Sequence, residues 1–474
     1  MGRSATSYWR RVRSPIGAVW AAMVAFAVAF GALAVQEYRA FETGRFDLGN
    51  MVQAVWSTAH GRPLEITELG GDQISRLGAH VDPLLVLFAP LWWVWPSPAM
   101  LLVVQVVALA LGALPVFWLA RNHLGSERLG VVFALVYLLY APLQWLPLDE
   151  FHPVALACPL LLYALWYLDE DRLIAALPYL GLACLTKEEV PLVVAGLGVW
   201  YAVRKGRRRE GAALALAGVT LTALYLLVVM PHYRSGSAPA FYDRYDTVGG
   251  SPGGLVKTLV TDPLTVIRAA TEGRDLTYLF QLGLPLAFAF LAAPLVLIPA
   301  LPELAANLLS ETGTQTSIEF HYTAPIIPFL VAGAIFAAAR WRRLVPVVLA
   351  AAVVGAVVLG PLWSGELAPK RVSAHDRVAN RAVALVPGDA AVTSTNGLGS
   401  KLSARRRIFS WPVVLEADWV AVDLKRPSYL DRRSSASTAA IPLARLLRSG
   451  GWSIALEEDG IVVLRRRTAT TRMP

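Results

Sequence analysis

Long apolar runs recur along the whole chain and constrain its fold more than any other feature. Hydrophobic residues make up 56% of the 474 residues and charged residues only 16%, whereas about a quarter of the residues in a soluble globular protein are charged. Several runs approach the roughly 20 residues that an α-helix needs to cross a bilayer. The sequence predicts an all-α polytopic membrane protein of about 11 transmembrane helices with a small C-terminal α/β extracytoplasmic domain.

Basic residues orient the predicted spans. The first 14 residues carry four arginines and no acid, so we expect the apolar run 16–35 to be a retained first helix with a cytoplasmic N-terminus. A cleaved signal peptide is the alternative. Arginine clusters at 204–209 and 340–343 mark the inner side. Requiring both clusters to be cytoplasmic predicts helical hairpins over residues 173–203, with Lys187-Glu188-Glu189 at the outer turn, and over residues 278–310, turning near Pro294. The chain is therefore predicted to lie in the cell (plasma) membrane as a multi-pass protein, with its C-terminal domain outside.

Composition divides the chain in two. Residues 1–363 are predicted to form the polytopic domain, with a large outer loop at 37–97. Residues 364–474 carry 18 Lys and Arg against 10 Asp and Glu, and their alternation of strand and helix patterns predicts the basic α/β domain. Nucleic acid is not expected as a partner because no basic face with interleaved aromatic residues accompanies the charge. Anionic membrane lipids are a better match.

Residues 48–57 have an amphipathic pattern. Leu48, Met51, Val52, Val55 and Trp56 follow helical spacing, with polar residues on the opposite face, which predicts a helix lying on the membrane surface. Asp47 falls at the expected N-cap of this helix. An N-cap needs no further explanation, but a carboxylate held at the membrane edge could also act as a base or bind a metal.

Five polar clusters interrupt the apolar sequence, and the predicted topology puts all five on the outer side. They are Asp47; His80 and Asp82; Asp149, Glu150 and His152; Lys187, Glu188 and Glu189; and His321 and Tyr322. Ionisable groups are costly to bury in a membrane protein, so their collection at one level favours a site for a polar substrate. Several clusters also have a structural interpretation. His80 and Asp82 could belong to a hydrogen-bonded loop, and Lys187, Glu188 and Glu189 could form an internally compensated ion cluster.

The sequence resembles a family of bacterial and archaeal membrane proteins, the domain of unknown function 2079 family. The resemblance covers most of residues 37–340 and extends to the C-terminal region. It is carried by Phe46-Asp47-Leu48-Gly49, Trp56-Ser57-Thr58-Ala59-His60-Gly61-Arg62, Gly78-Ala79-His80-Val81-Asp82-Pro83, Asp149-Glu150-Phe151-His152-Pro153 and Lys187-Glu188-Glu189.

That family is similar in architecture to C-superfamily membrane glycosyltransferases, which use polyprenyl-phosphate sugars. Those enzymes carry a functional acid in the first outer loop and often another in the second, and Asp47 and the Asp149–Glu150 pair match these locations. The usual second-loop pattern is replaced here by Asp-Glu-Phe-His-Pro. The resemblance therefore implies a transferase that moves a sugar from a polyprenyl-phosphate donor to an outer-face glycan or protein acceptor in the cell envelope.

Under this hypothesis, each candidate residue has a role. Catalytic roles fall to Asp47 and Glu150, and a divalent cation, the one candidate cofactor, would be held by Asp82 and Asp149. The predicted substrate-binding residues are His80, His152, Lys187, Glu188, His321 and Tyr322. The alternatives are a transporter or lipid-carrier flippase, which usually shows inverted repeats and ionisable groups near the midplane, and a non-catalytic membrane receptor or scaffold.

Overall fold

The computed structural model describes residues 14–234, 240–434 and 440–467. The chain is mostly helical with a small C-terminal sheet and divides into two compact units. The first unit comprises the described residues within 1–32, 77–84 and 103–368, and the second those within 33–76, 85–102 and 369–474. The boundary predicted at residue 363, between the polytopic domain and the C-terminal domain, stays a prediction.

The α-helices are numbered in chain order. They are α1 Pro15–Arg39, α2 Asn50–Ala59, α3 Ala89–Val94, α4 Pro98–Leu111, α5 Ala113–Leu124, α6 Glu127–Leu139, α7 Ala141–Trp145, α8 Ala157–Asp169, α9 Leu173–Cys184, α10 Val190–Arg204, α11 Arg208–Leu224, α12 Met230–Tyr233, α13 Pro252–Thr261, α14 Pro263–Ala269, α15 Gly273–Gly283, α16 Leu301–Leu308, α17 Ile327–Arg340, α18 Leu344–Val358, α19 Ala374–Leu385, α20 Asn396–Leu402, α21 Tyr429–Ser434 and α22 Ala440–Arg448.

Shorter helical turns connect these elements. The 3₁₀ turns are Arg76–Gly78, Pro83–Phe88, Pro153–Leu156, Ala240–Val248, Leu284–Leu286, Ala289–Ala292, Pro294–Ala300 and His321–Thr323, and the π-helical turns are Arg45–Gly49 and Tyr225–Val229.

Three helical stretches of the described chain are long and apolar enough to cross a membrane. They are Pro15–Arg39, Pro98–Leu124 and Arg208–Tyr233, and seven shorter apolar helical segments accompany them. The first and third are largely uncovered by the rest of the protein and leave apolar side chains such as Val28 and Leu216 exposed, as expected of helices that contact lipid. The count of about 11 spans stays a prediction.

Helices α10 and α11 form a close hairpin because glycines face each other between them. A methyl group built on Gly211 would lie 2.4 Å from the carbonyl oxygen of Gly198, and one built on Gly218 would lie 2.3 Å from that of Pro191. Small residues permit such backbone approach and are enriched where helices meet in membranes. The predicted break within residues 173–203 is present, because α9 ends at Cys184 and α10 begins at Val190, with Lys187-Glu188-Glu189 between them. Helix α10 packs more closely on α11 than on α9.

The predicted helical hairpin over residues 278–310 is wrong. Helix α15 ends at Gly283, three 3₁₀ turns follow, and α16 begins only at Leu301. Pro285, Pro294 and Pro299 explain the break, since each lacks the N–H that a continuing helix needs. Ala287 and Phe288 adopt the left-handed conformation, with φ angles of 50° and 54°, so the regular helix is interrupted well before Pro294. Tyr140 satisfies one broken helix end by donating to the carbonyl of Leu282 at 2.8 Å.

The second unit is built on a five-stranded sheet. Its strands are β3 Val392–Ser394, β4 Ile408–Ser410, β5 Trp419–Asp423, β6 Trp452–Glu458 and β7 Ile461–Arg466, in the order β4-β3-β5-β7-β6. Strand β3 is parallel to β4 and β5, and β7 is antiparallel to β5 and β6. The sheet is apolar on both faces, with α19 packed on one and Leu443 of α22 on the other. The predicted α/β pattern of the tail is confirmed; β4 and α20 were not predicted.

Residues 33–76 belong to the same unit as the tail. A short hairpin of β1 Glu65–Thr67 and β2 Gln73–Ser75 follows α2. The guanidinium of Arg45, only 1% exposed, donates to Ser410 Oγ and to the carbonyl oxygens of Thr67 and Ile408 at 2.6–2.7 Å. A neutral acceptor set thus holds a buried cation in place, and burial lowers the pKa of Arg45 to about 10.

Helix α2 differs from the amphipathic surface helix expected from its pattern. Gln53 and Ser57, on the face expected to meet water, are buried. Gln53 donates to Thr67 Oγ1 and to the carbonyl of Arg406, both at 2.9 Å, and accepts from the Thr67 N–H. The polar face of α2 is therefore a protein-packing face. Asp47 is not its N-cap but lies inside the preceding π-helical turn.

The contact between α10 and α11 generates a stability prediction. We expect Gly211→Val to lower the free energy of unfolding by about 1–3 kcal/mol because the added carbons meet the backbone of α10. Gly181→Val in α9 is the matched control, because a methyl group there meets no atom within 4 Å. Thermal unfolding of both variants in detergent measures the difference, and equal losses would contradict the packing argument.

Candidate functional site

The turn between α7 and α8 is held in place by one buried amide. Gln105, in α4 and only 1% exposed, accepts a hydrogen bond from the backbone N–H of His152 at 2.9 Å. Its Nε2 donates to the carbonyls of Leu146 at 2.9 Å and Glu150 at 2.5 Å. Glu150 has a φ of 54°, a left-handed conformation that is uncommon for a residue with a side chain. The amide thus fixes a turn that the backbone alone would disfavour.

Asp149 joins this turn to the loop before α17. The Oδ2 atom of Asp149 accepts from the backbone N–H of His321 at 2.7 Å and lies 2.8 Å from Nδ1 of the same residue. The His152 ring stacks on the His321 ring with centroids 3.6 Å apart, and His152 Nδ1 lies 2.8 Å from the carbonyl oxygen of Asp149. The carboxylate of Asp149 therefore connects two segments that lie 172 positions apart in the sequence.

These three residues could hold a metal ion. Asp149, His152 and His321 each offer one ligand atom, and the three atoms lie within 4.8 Å of one another. The set includes one of the two predicted metal ligands, Asp149. The other, Asp82, is buried in the loop after His80 and does not belong to this group of three.

A second part of the site joins His80 to the turn between α9 and α10. The carboxylate of Glu188 lies 2.8 Å from His80 Nδ1 and accepts the backbone N–H of Val81 at 2.9 Å. The His80 ring also stacks on Phe241 with centroids 5.7 Å apart. Because both oxygens of the carboxylate are used, the turn and the loop are fixed relative to each other.

Lys187 and Tyr322 join the two parts. Lys187 Nζ pairs with Glu189 at 2.6 Å and lies 5.1 Å from the centre of the Tyr322 ring. Arg244 donates to the Tyr322 hydroxyl at 3.2 Å. Tyr322 follows His321 directly, and the two rings are in contact with centroids 4.2 Å apart. Two cations thus meet at one aromatic ring beside the histidine pair.

Charges in this region perturb one another strongly. Burial favours neutral Glu188, but the adjacent His80 and Lys187 outweigh it and lower the pKa of this acid to about 2. Burial, followed by the nearby Glu188, raises the pKa of Glu189. Burial opposes the charge of Lys187, yet Glu189, Glu188 and Glu303 together raise its pKa. Such mutual perturbation is typical of functional sites, although structural ion networks show it as well.

The 3₁₀ turn at Ala240–Val248 is tied to the loop before α17. The N–H of Glu311 donates to the carbonyl of Arg244 at 2.7 Å, and its side chain accepts the N–H of Thr247, also at 2.7 Å. Arg274 of α15 donates to the carbonyls of Ser310 and Glu311. The segment Ala240–Val248 is thus fixed against the loop that carries His321 and Tyr322.

Contacts within the first unit therefore connect four of the five predicted clusters. His80, Asp149, His152, Lys187, Glu188, Glu189, His321 and Tyr322 belong to this network. Asp47 belongs to the second unit, where it is half-buried. The side chain of Glu150 is half-buried as well, and its backbone carbonyl is held by Gln105.

Sequence reasoning missed several participants. Gln105 is the single polar residue of α4, and Glu303 and Asn307 are the two polar residues of α16; their isolation in apolar helices was a usable signal, because a polar group at membrane depth needs a partner. Arg244 carried no such signal. Asn307 is fully buried and donates to the Tyr278 hydroxyl and to the carbonyl of Tyr322.

Comparison with known proteins identifies a family and a fold. Residues 37–463 match the family described as "Predicted membrane protein (DUF2079)". The fold is similar to that of ArnT from Cupriavidus metallidurans bound to undecaprenyl phosphate, with a TM-score of 0.51 and 14% sequence identity over 94% of this chain and 98% of that one. At this identity the likeness concerns the fold alone. A search of curated protein sequences found no match.

The double contact of Glu188 generates a prediction about the site. We expect Glu188→Ala to lower the free energy of unfolding by about 1–3 kcal/mol, because the buried N–H of Val81 and the ring of His80 lose their acceptor. Thermal unfolding in detergent measures this loss. Glu170→Ala is the control, since that carboxylate is exposed and accepts one hydrogen bond from Asn122. A loss no larger than in the control would show that Glu188 does not anchor the loop.

Proposed function

Because the chain belongs to the DUF2079 family of membrane proteins and has the fold of a protein that binds undecaprenyl phosphate, we propose that it is an integral-membrane glycosyltransferase. It would move a sugar from a polyprenyl-phosphate donor to an acceptor on the outer face. The observation that carries the proposal is the network that joins four polar clusters, distant in sequence, inside an otherwise apolar unit. An amphiphilic donor requires such a pairing of polar site and apolar surroundings.

The cations around Tyr322 suit the leaving group of this reaction. In the transfer, an acceptor hydroxyl forms a bond to the anomeric carbon, the bond from that carbon to the phosphate oxygen breaks, and polyprenyl phosphate leaves with the electron pair. Lys187 and Arg244, which both approach the Tyr322 ring, would stabilise the negative charge that develops on that oxygen. Preorganised cations in a site with little water are effective at this task.

The remaining residues of the network would position the donor. Glu188 orients His80, and Asp149 orients His321, through hydrogen bonds of 2.8 Å. Imidazoles fixed in this way can contact phosphate or sugar hydroxyls without losing conformational freedom on binding. Asp47 is the proposed base that removes the proton of the acceptor hydroxyl, and Glu150 is the second carboxylate to which we assign a catalytic role.

The role of Asp47 is tested by a substitution that keeps its shape. We expect Asp47→Asn to abolish sugar transfer while the amount of protein in the membrane stays unchanged, because an amide cannot accept the proton of the acceptor hydroxyl. Membranes are incubated with polyprenyl phosphates carrying radiolabelled sugars, and the label is followed from the solvent-extractable lipid to the acceptor fraction. Asp72→Asn, an exposed site in the same outer loop, is the control. Unchanged transfer in Asp47→Asn would remove this residue from the mechanism.

The role of Lys187 is tested while its charge balance is preserved. Removing Lys187 alone would leave Glu189 uncompensated, so we use the double variant Lys187→Gln with Glu189→Gln. We expect kcat/KM for the lipid donor to fall about 10- to 100-fold, the size of effect given by one lost hydrogen bond to a charged group. The control is Lys257→Gln, on the exposed surface of α13.

The wild-type protein also separates this function from its rivals. Sugar transfer that depends on the chain supports a transferase, whereas movement of the intact lipid-linked sugar across vesicles without transfer would support a flippase instead. Neither activity, together with binding of a protein partner to the tail, would support a receptor.

A further inference from the structure

The tautomers of the stacked histidines follow from their partners. Nδ1 of His152 lies 2.8 Å from the carbonyl oxygen of Asp149, and a carbonyl can only accept, so this nitrogen carries the proton. Nδ1 of His321 lies 2.8 Å from the carboxylate of Asp149 and likewise donates. These hydrogen bonds place both Nδ1 atoms beside Asp149, whose Oδ2 also lies 3.8 Å from His152 Nδ1. A metal ion held by the two Nδ1 atoms and this oxygen would displace the two Nδ1 protons, because a metal binds the neutral nitrogen and releases protons when it binds.

The spacing of the three side chains suits a small transition-metal ion. Their ligand atoms lie within 4.8 Å of one another. Ligands about 2.0 Å from a tetrahedral ion lie roughly 3.3 Å apart, so small side-chain rotations bring them to binding distance. Different hydrogen bonds hold the backbones of the two histidines. The backbone of His152 is held by Gln105 of α4, and the N–H of His321 is held by Asp149.

We propose that Asp149, His152 and His321 form a binding site for a transition-metal dication of the zinc class. Two imidazoles and one carboxylate select Zn²⁺, Co²⁺ or Fe²⁺ over Mg²⁺ and Ca²⁺, which prefer sets made of oxygen ligands. Three protein ligands leave an open coordination position, as in catalytic rather than structural zinc sites. This set replaces the Asp82–Asp149 pair predicted from the sequence. The metal site goes beyond the proposed sugar transfer and stands independently of it.

Metal binding is tested on the full chain purified in detergent with a tag that contains no histidine. After EDTA treatment and removal of the chelator, Zn²⁺, Co²⁺ and Mg²⁺ are titrated calorimetrically. We expect about one equivalent of Zn²⁺ to bind, at least tenfold more tightly than Mg²⁺. Binding no tighter than that of Mg²⁺ would overturn the assignment.

Substitutions locate the metal. His152→Gln and His321→Gln are each expected to weaken Zn²⁺ binding at least tenfold, because each removes one of three ligands. His123→Gln is the matched control, since His123 also contacts a carboxylate, that of Asp169 at 2.6 Å, but lies in a different part of the first unit and has no second histidine against it. If His123→Gln weakens binding as much as the other two, or if none of them does, the metal lies elsewhere.

A substitution that keeps a metal ligand at position 321 separates loss of the ligand from loss of folding. In His321→Cys a thiolate replaces one imidazole, and we expect Co²⁺ to bind with a new sulfur-to-metal charge-transfer band in the near ultraviolet. The native cysteines, Cys158 and Cys184, are both buried and contribute no such band in the wild-type protein. Bound Co²⁺ without that band would show that residue 321 is not a ligand. Because no sugar donor is present, these results are independent of whether transfer occurs.

Discussion

The side-chain amide of Gln105 forms hydrogen bonds with three backbone groups around the turn between α7 and α8. The rest of the polar network depends on the position of this turn. Inside an apolar unit there is no water to complete the hydrogen bonds of an irregular segment, and each unsatisfied group would cost several kcal/mol in hydrocarbon. One amide accepts from His152 and donates to two carbonyls. With the turn fixed, Asp149 can hold His321, and Tyr322 then lies between Lys187 and Arg244. Helix α4, which carries Gln105, thereby fixes the geometry of the turn between α7 and α8.

The charged side chains of the network have partners before any ligand arrives. Lys187 pairs with Glu189, and the carboxylate of Glu188 contacts His80 Nδ1 and accepts the N–H of Val81. An unpaired buried charge would be strongly destabilising, so an empty site must compensate its own cations. The raised pKa of Glu189 is relevant here, because an acid that takes up a proton readily can release its lysine to an anionic substrate at a lower cost in free energy. Stability without ligand and affinity for an anion are then compatible.

Local patterns predicted most of the residues that gather, but not how they pair. The apolar runs, the polar clusters and the strand and helix patterns of the tail could be predicted, because each depends on composition or spacing within a few residues. Asp47 was grouped with the other clusters but lies in the second unit. The contact between His80 and Glu188 spans 108 positions and has no local signature. The same limit explains Gln53, whose position on the polar face of α2 predicted exposure. It is buried because a remote segment supplies acceptors for its amide. Pro285, Pro294 and Pro299 are visible in the sequence and are the local signal for the break between α15 and α16.

The burial of Arg45 also determines when the surrounding segment can fold during synthesis. Its guanidinium donates to the carbonyl of Ile408, which lies 363 positions further along the chain. At synthesis rates of 5–20 residues per second, the ribosome needs on the order of 20–70 s to make the segment that completes this set of acceptors. During that interval the segment around Arg45 has left the ribosome with a cation that cannot yet be buried favourably. Maturation of this unit must therefore wait for the end of translation, and a nascent chain that stops before β4 leaves the segment around α2 open to proteases and chaperones.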